Sequence, residues 1–434
     1  MKYKLKDVCS ITKGATGIMK AIPGKYPLVA LSDDRRSHNE FQFDANAVIV
    51  PLISSTGHGD ASMKRVHYQE GKFALGNILC AVIPNNEKQL NAKYLHLYLQ
   101  QFKDSLLVPL MKGAANVSLS MNKLSEVEVD VPSYERQLEI IALEDIATEL
   151  KNNLQDKLFL QDKDVAKLRQ SLLREAMQGK LVLQNQNDEP ASELLKKIKV
   201  EKVRLIAESK LKKEKPLLEI KPEDIPYKIP SSWVWCRLGE ICSKVGSGST
   251  PRCSNYAKTG IPFFRSQNIH DNGLVYEDIK FISNDVHHEM KGTIVHPNDI
   301  LLNITGGSLG RCALVPSTFN EGNVSQHVAI IRPLKINATY LHKVMLSPGF
   351  QKKIFNSTTG AGREGLPKYN LEQFIIPIPP LAEQQRIVSK LNQLMQFCDQ
   401  LEQNINTTEE QTNLLLQTVL KEALEEKGKN VSLQ

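Results

Sequence analysis

The amino-acid sequence predicts an α+β fold: two mixed α/β domains, related by a pseudo-twofold internal repeat, are joined by two long antiparallel helices that form a coiled coil. Three observations predict this fold. The chain has 434 residues, which is enough for two or three domains. Sequence landmarks of its first half return in the same order in its second half. Each half closes with a long segment that contains no proline, which is typical of a helix.

The internal repeat is carried by four pairs of segments. They match in residue type and keep their order along the chain, so we infer a duplicated unit rather than chance similarity. The first part of each unit is rich in glycine, proline and short β-type runs, such as 46–53 and 328–333, and is therefore predicted to be a compact mixed α/β domain. The paired segments are 5–10 and 238–243, 91–96 and 337–342, 129–137 and 377–385, and 170–176 and 417–423.

Both proline-free segments carry apolar residues at helical spacing, and the C-terminal one follows the 4-3 pattern of a coiled coil. We expect the two helices to bury these stripes against each other; the alternative is that each helix lies on its own domain. A helix of about 38 residues is roughly 57 Å long, which would hold two domains on DNA segments about 34–36 Å apart, although a protein ligand also fits. The predicted seam contains Ala147, Leu150, Leu154, Leu158, Val165, Leu168 and Leu172, and Ile387, Leu391, Leu394, Cys398, Leu401, Ile405, Thr408, Thr412, Leu415 and Val419.

Composition narrows the function classes. Hydrophobic residues make up 41% and charged residues 24%, as in folded proteins with a sizeable core. No stretch approaches the ~18 apolar residues of a membrane span, so we expect a cytoplasmic protein. The seven cysteines show no Cys-x-x-Cys spacing, which predicts reduced, mostly buried thiols and no metal site. A net charge of +7 permits a polyanionic partner without demonstrating one.

Several motifs resemble those of type I restriction-modification specificity subunits, the HsdS family. Segments 131–137 and 378–387 each open a long helix and look like the signature of that family, as does 168–181 at the end of the central helix. Segment 229–235 resembles the entry to the second target-recognition domain, as does 246–251 ahead of 260–265. The resemblance covers essentially the whole chain in the right order.

The resemblance implies a subunit that reads an interrupted, two-part DNA sequence and has no catalytic site. It implies methyltransferase subunits, two of them expected, that bring S-adenosylmethionine, and restriction subunits that bring ATP and Mg²⁺, with no cofactor on this chain. The first domain lacks the 246–251 and 299–307 patterns of the second, which fits two different half-sites. The expected segments are target-recognition domain 1 (1–132), central spacer helix (133–180), basic helical linker (181–229), target-recognition domain 2 (230–380) and C-terminal spacer helix (381–434).

Candidate DNA contacts follow from residue chemistry, since Arg and Lys suit guanine and phosphates whereas Asn and Gln suit adenine. Any single candidate is more often an ordinary surface residue than a base reader, so clusters carry more weight. The positive charges of the basic linker fit a solvated helix face at least as well as a contact with the DNA backbone. The candidates are Arg35, Arg36, His58, Lys64, Arg65, Lys112, Asn116, Ser118, Arg252, Arg265, Gln267, Asn268, Arg311, Arg363, Lys368 and Tyr369, and the helix positions expected to dock partners are Leu150, Leu154, Leu158, Leu168, Leu391, Leu394, Leu401, Ile405 and Leu415.

Two other functions compete with this reading. Gly306–Gly310 matches the Gly-x-Ser-x-Gly elbow of serine hydrolases, but the elbow needs a helix directly after the serine, and 311–316 reads as a strand, so a hairpin is expected. A coiled-coil adaptor that binds only proteins is the stronger alternative, and it would show no salt-dependent DNA affinity. No glycine-rich cofactor motif follows a strand, and His287–Glu289 has the wrong spacing for a zinc peptidase. Segment 246–250 lacks the lysine of a phosphate loop, so a plain turn is favoured over a turn whose small residues let a phosphate approach.

Overall fold

The computed structural model describes residues 1–32, 34–55, 60–113, 117–211, 216–252, 255–358 and 365–425. The chain forms two compact units, Met1–Phe159 with Asn406–Gln434 (unit 1) and Leu160–Ile405 (unit 2). Each unit contains one mixed α/β domain and part of both long helices. Within the described residues, no helix is both long and apolar enough to cross a membrane.

Unit 1 builds its domain from two four-stranded sheets and a short strand pair. The sheet orders are β2-β9-β6-β7, β4-β3-β8-β5 and β1-β10, and β3 and β8 pair in parallel. The strands are β1 (Lys2–Lys4), β2 (Cys9–Lys13), β3 (Tyr26–Val29), β4 (Arg36–His38), β5 (Phe43–Asp44), β6 (Ala47–Pro51), β7 (His67–Gln69), β8 (Lys72–Leu75), β9 (Leu79–Pro84) and β10 (Glu128–Asp130), and the helices are α1 (Leu5–Val8), α2 (Ala92–Leu106), α3 (Met121–Ser125) and α4 (Tyr134–Met177).

Unit 2 repeats this arrangement with the sheets β12-β21-β18-β19, β16-β13-β20-β17 and β11-β22, and adds the pair β14-β15. Its strands are β11 (Val234–Arg237), β12 (Cys242–Ser247), β13 (Ile261–Phe264), β14 (Ile269–His270), β15 (Gly273–Leu274), β16 (Lys280–Ile282), β17 (Ile294–Val295), β18 (Ile300–Asn303), β19 (Cys312–Leu314), β20 (Gly322–Val324), β21 (Val328–Pro333) and β22 (Ile375–Ile378). Its helices are α5 (Ala191–Ala207), α6 (Leu238–Ile241), α7 (Asn284–Glu289), α8 (Ala338–Leu346), α9 (Pro348–Asn356), α10 (Lys368–Glu372) and α11 (Leu381–Glu425).

The central strand β6 is apolar at every position because both faces of its sheet are covered. In β6, Val48 and Val50 belong to the core that includes Tyr94 of α2, whereas Ala47 and Ile49 belong to the core that includes Phe73 of the second sheet. A strand buried on both faces reads as a continuous apolar run rather than an alternating one. The predicted fold class, a repeated mixed α/β domain with two long helices, is confirmed.

A buried glutamine anchors each domain to the first turn of its long helix. In unit 1, Oε1 of Gln137 accepts from the backbone N–H of Asn91 at 2.8 Å, and Nε2 donates to Gln89 O and Pro132 O. In unit 2, Oε1 of Gln384 accepts from the N–H of Asn337 at 2.9 Å. Both glutamines are completely buried. The duplicated motif at 129–137 and 377–385 is therefore a structural anchor.

The long helices run antiparallel in unit 1 and contact each other in unit 2. In unit 1, Nη2 of Arg136 donates to Ala423 O at 3.4 Å, and Nε2 of Gln155 donates to Glu409 at 3.4 Å. In unit 2, Arg169 donates to Asp399 at 2.7 Å. Contact residues on α11 thus fall in number as those on α4 rise, which is the antiparallel direction predicted.

The predicted seam is correct only in part. Leu158, Val165, Leu391 and Cys398 are buried, and Leu154, Leu394 and Ile405 are partly buried. A straight helix drifts relative to a 3.5-residue repeat, so the contact line moves onto residues that the heptad pattern omits, such as Arg169, Leu416 and Leu420. The seam positions predicted wrongly are Leu150, Leu168, Leu401, Leu415 and Val419, which are 59%, 43%, 46%, 62% and 43% exposed, and Thr408, which is also exposed.

The basic linker packs α5 onto unit 2 by its apolar side. Ala191, Leu194 and Ile198 are buried in the unit 2 core, and Nζ of Lys202 donates to Gly239 O at 2.6 Å. The repeat aligns Gly239 with Lys6 of unit 1, an exposed lysine that pairs with Glu126 at 2.6 Å. Covering Lys6 with the apolar side of a helix such as α5 would bury a charged group at a high cost in free energy, so the packing of α5 suits unit 2 and not unit 1.

Candidate nucleic-acid interface

In each unit, backbone contacts join a set of loops beside the parallel strand pair. In unit 2, Thr305 forms a β-bridge with Gly365, and Ser249 N–H donates to Val324 O at 3.1 Å. In unit 1, Ile53 forms the corresponding bridge with Ser118. The two domains therefore present matching loops, and most of the predicted DNA contacts fall on or next to them.

Four polar side chains of unit 2 form a connected chain on these loops, and the sequence analysis missed them. The hydroxyl of Thr250 donates to Oε1 of Gln326, Nε2 of Gln326 contacts Nε2 of His327 at 3.1 Å, and Nδ1 of His327 contacts Oγ1 of Thr305 at 2.7 Å. Gln326 and His327 are exposed. Gln326 and His327 follow β20 closely, and β20 pairs in parallel with β13, the strand that ends before Arg265. Polar residues after a short apolar strand were the signal in the sequence that could have found Gln326 and His327.

The loop after β13 holds three predicted DNA contacts, of which one is buried and two remain at least partly accessible. Asn268 is fully buried, accepts from the N–H of Arg265 at 3.1 Å and donates to Val275 O and Glu277 O. Asn268 is therefore wrong as a base reader, because its amide already holds the loop together. Arg265 is half-buried and donates from Nη2 to Asp278 O at 2.8 Å, whereas Gln267 is exposed.

The other candidates of unit 2 lie at the surface. Arg252, Arg311, Lys368 and Tyr369 are exposed, and Lys368 pairs with Glu372 at 3.1 Å. His58, Asn116 and Arg363 lie outside the described residues.

In unit 1 the structure brings together cations that are distant in sequence. Nε of Arg35 donates to Oε1 of Gln69 at 3.0 Å, and Nη2 donates to the backbone oxygen of Tyr68 at 3.3 Å. Tyr68 and Gln69 belong to β7, which follows closely after Lys64 and Arg65. Arg36 and Lys64 are exposed, and Arg65 is half-buried.

His67, which begins β7, lies in a positive environment. Burial, together with the charges of Arg35, Arg65 and His96, lowers the pKa of His67 to about 4. Only 5% of the residue is exposed, and its Nε2 has no hydrogen-bond partner among the described residues. His67 is therefore a neutral imidazole beside two guanidinium groups at neutral pH.

Backbone hydrogen bonds join the two ends of the candidate loop of unit 1, at Lys112 and Ser118. Lys112 and Ser118 exchange two backbone hydrogen bonds of 2.9 Å and are both exposed. This pairing closes the glycine-containing loop between them and points to a fixed loop base.

The serine-elbow hypothesis fails on local geometry. β18 and β19 pair antiparallel on either side of Gly306–Gly310, which confirms the expected hairpin. The hydroxyl of Ser308 accepts from Nδ2 of Asn303 at 3.1 Å. Among the described residues, no group of three or more His, Cys, Asp or Glu side chains is placed to hold a metal ion. The six described cysteines are all buried.

Comparison with known proteins identifies the family. The model of the type I restriction modification DNA specificity domain matches residues 1–159 and 230–410. The chain therefore belongs to this family, and the resemblance found in the sequence is confirmed.

Individual relatives agree with this assignment. The chain is 34% identical over 275 residues to the EcoAI specificity subunit of Escherichia coli, covering 62% of this chain and 46% of that protein. It is 30% identical to the EcoEI specificity subunit of E. coli, with the same coverage. The chain thus spans about half the length of these curated relatives. In fold, it resembles the HsdS subunit of Thermoanaerobacter tengcongensis, with a TM-score of 0.54, 17% identity, and coverage of 98% of this chain and 96% of that one.

Proposed function

We propose that this chain is the DNA-recognition subunit of a type I restriction-modification complex, and that each unit reads one half of an interrupted target. The observation that carries the proposal is the duplication of one domain with matching loops, each set bearing different polar side chains. Two similar domains with different loop residues suit a target of two unlike half-sites. Gln267, Gln326 and Arg265 in unit 2 and Arg35 and Arg65 in unit 1 are the leading contacts.

The same proposal assigns catalysis to partners. This chain directs adenine methylation and DNA cleavage, while methyltransferase subunits supply S-adenosylmethionine and restriction subunits supply ATP hydrolysis and Mg²⁺. The relatives named above are specificity subunits, which supports a non-catalytic role. The number of methyltransferase subunits, two, is part of the proposal.

The long helices are the proposed docking surface for the methyltransferase. In unit 1, large apolar side chains remain exposed on α4 and α11, including Ile146, Leu150 and Leu415 at 56%, 59% and 62%. In unit 2, Phe397 and Leu401 are 53% and 46% exposed. Exposed apolar side chains repeated along helices mark protein-binding surfaces.

The test is methylation mapping. The chain is co-expressed with its neighbouring methyltransferase subunit in a host free of adenine methylation, and modified adenines are located by long-read sequencing. A single interrupted motif, modified on both strands, is the expected result and gives target and gap together. Failure to form a complex with the methyltransferase, or a complex whose DNA affinity does not depend on salt, would instead favour a protein-binding adaptor.

A further inference from the structure

We infer that Gln326 reads one adenine of the half-site bound by unit 2. Its side-chain amide is held by three positioning residues, Thr250, His327 and Thr305, which together with Gln326 form the Gln326 network. The inference rests on the proposed function and deepens it, because it names a base and the side chain that selects this base.

Sheet topology places the Gln326 network at one end of a unit 2 sheet. β21 begins at Val328 and lies between β12 and β18, and both neighbours run antiparallel to it. The segments that follow β12 and β18 therefore lie on either side of the residues that precede β21. Thr250 is in the first segment and Thr305 is in the second, with residues 326–327 between them.

Close backbone contacts hold these segments together. The N–H of Gly248 donates to Val328 O at 2.9 Å, and the N–H of Ile304 donates to His327 O at 3.0 Å. A Cβ at Gly248 would collide with Val324 O, so only glycine lets the first segment approach this closely. Backbone contacts therefore bring the segments together without help from the polar side chains.

The hydrogen bonds of the network fix the amide of Gln326. Its Oε1 accepts from the hydroxyl of Thr250, and its Nε2 lies 3.1 Å from Nε2 of His327. An amide nitrogen can only donate, so Nε2 of His327 accepts and the ring proton lies on Nδ1, 2.7 Å from Oγ1 of Thr305. The amide is thus held at its oxygen and at its nitrogen although Gln326 is exposed, which reduces the entropy lost on binding.

The part of the amide that the network leaves available matches adenine. A primary amide has two N–H donors and two acceptor positions on its oxygen, and the network uses one of each. Within the described part of the chain, one donor and one acceptor of Gln326 stay available. In the major groove, adenine presents the N7 acceptor beside the N6 amino donor, whereas guanine presents two acceptors and thymine an acceptor beside a methyl group. The remaining pair on Gln326 therefore suits adenine.

The test measures DNA binding by the complex assembled with its methyltransferase. Fluorescence anisotropy is recorded on the mapped target, on a duplex with both half-sites scrambled, and on targets in which one adenine at a time is replaced by 7-deazaadenine. This analogue lacks the N7 acceptor but keeps the N6 amino group, so it still pairs with thymine. At one position of a single half-site, the analogue should weaken binding by the parent complex about tenfold.

Substitutions then assign this position to Gln326. Gln326→Ala should weaken binding to the natural target about tenfold and should show no further loss when 7-deazaadenine occupies that position. Gln326→Glu offers only acceptors, so the motif read by methylome sequencing should change from adenine to cytosine there. Asn320→Ala is the matched control, because it removes an exposed amide at the opposite end of β20 and should leave every affinity unchanged.

The positioning residues are tested by removing their hydroxyl groups. Thr250→Val and Thr305→Val keep the shape of the side chain but release the amide or the imidazole, so the effect of 7-deazaadenine should shrink while affinity for scrambled DNA stays the same. Thr250→Ser keeps the hydroxyl and should restore the full effect. A merely structural role would not change the sensitivity to one atom of one base. Thermal unfolding of each variant verifies that the domain is folded.

The outcomes separate the inference from the proposed function. A target without a sensitive adenine, or a sensitivity that persists in Gln326→Ala, would overturn the reading role of Gln326. An equal loss of affinity for target and scrambled DNA in Gln326→Ala would also overturn it, by showing a contact with the DNA backbone. Full sensitivity in Thr250→Val would refute the positioning role. Equal binding of target and scrambled DNA by the parent complex would instead refute the proposed function.

Discussion

The backbone N–H of Asn337 donates to Oε1 of Gln384 at 2.9 Å, and Nε2 of the same glutamine donates to Pro379 O at 3.0 Å. One side chain therefore fixes the start of α8 and the start of α11 together. Asn337 is also the N-cap of α8, with its Oδ1 accepting from the N–H of Tyr340 at 3.0 Å.

Replacing this glutamine should destabilise unit 2. Gln384→Ala leaves a buried N–H and a buried carbonyl without partners, at about 1–3 kcal/mol each, so we expect a loss of about 3 kcal/mol in the free energy of unfolding. Gln384→Glu keeps the acceptor for Asn337 and should cost less at low pH, where its carboxyl group is protonated. Denaturant unfolding followed by fluorescence measures both; an alanine variant as stable as the parent would refute the anchor.

The seam and the proposed docking surface are separable by substitution. Leu391→Glu places a charge at a fully buried position and should cost about 4 kcal/mol or more. Leu401→Glu alters a side chain that is 46% exposed and should change stability by less than about 0.5 kcal/mol while weakening methyltransferase binding. Calorimetric unfolding and co-purification measure the two effects. Normal complex formation by the Leu401 variant would remove this part of α11 from the docking surface.

The half-site assignment predicts a one-sided change in specificity. Arg265→Ala and Gln326→Ala lie in unit 2 and should relax sequence choice in a single half-site by about 1–3 kcal/mol per base contact. Methylome sequencing of cells that express each variant gives the modified motifs directly. Equal relaxation of both half-sites would contradict a reading role for that residue.

His67 predicts how the stability of unit 1 depends on pH. Its pKa is about 4 in the folded chain and about 6.5 when unfolded, so the unfolded state binds the proton more readily. The contribution is fully present above about pH 6.5 and is lost as pH falls towards 4, with a total of about 3 kcal/mol. His67→Gln should flatten this part of the stability profile, measured by urea unfolding between pH 4 and 7. An unchanged profile would mean that His67 titrates normally.

The sequence predicted the fold well where periodicity and repetition carry the signal. The duplicated landmarks predicted a repeated mixed α/β domain, and the two matching sets of sheets confirm the repeat. The heptad pattern found both long helices but misplaced Leu150 and Leu415, since a straight helix departs from a 3.5-residue repeat. The strand-like run after Ser308 correctly indicated a hairpin.

The candidate site was harder to predict, because residue type does not reveal burial. Asn268 has the chemistry of an adenine reader, yet its amide is consumed by three hydrogen bonds to its own loop. Thr250, Gln326 and Thr305 come from separate loops, and only the folded chain shows that they are connected. The cluster of Arg35 and Arg65 was hidden for the same reason.

The anchoring glutamines divide each domain into positions that tolerate substitution and positions that do not. The side chains of Gln137 and Gln384 bond to backbone groups at the starts of α2 and α8 and just before α4 and α11. Among the described residues, neither side chain bonds to the loops that carry Arg35, Gln267 or Gln326. Substitutions in those loops therefore leave the anchors intact, whereas the anchors tolerate almost none. The loop residues proposed to contact DNA can therefore be replaced while the contacts that join each domain to its long helix stay the same.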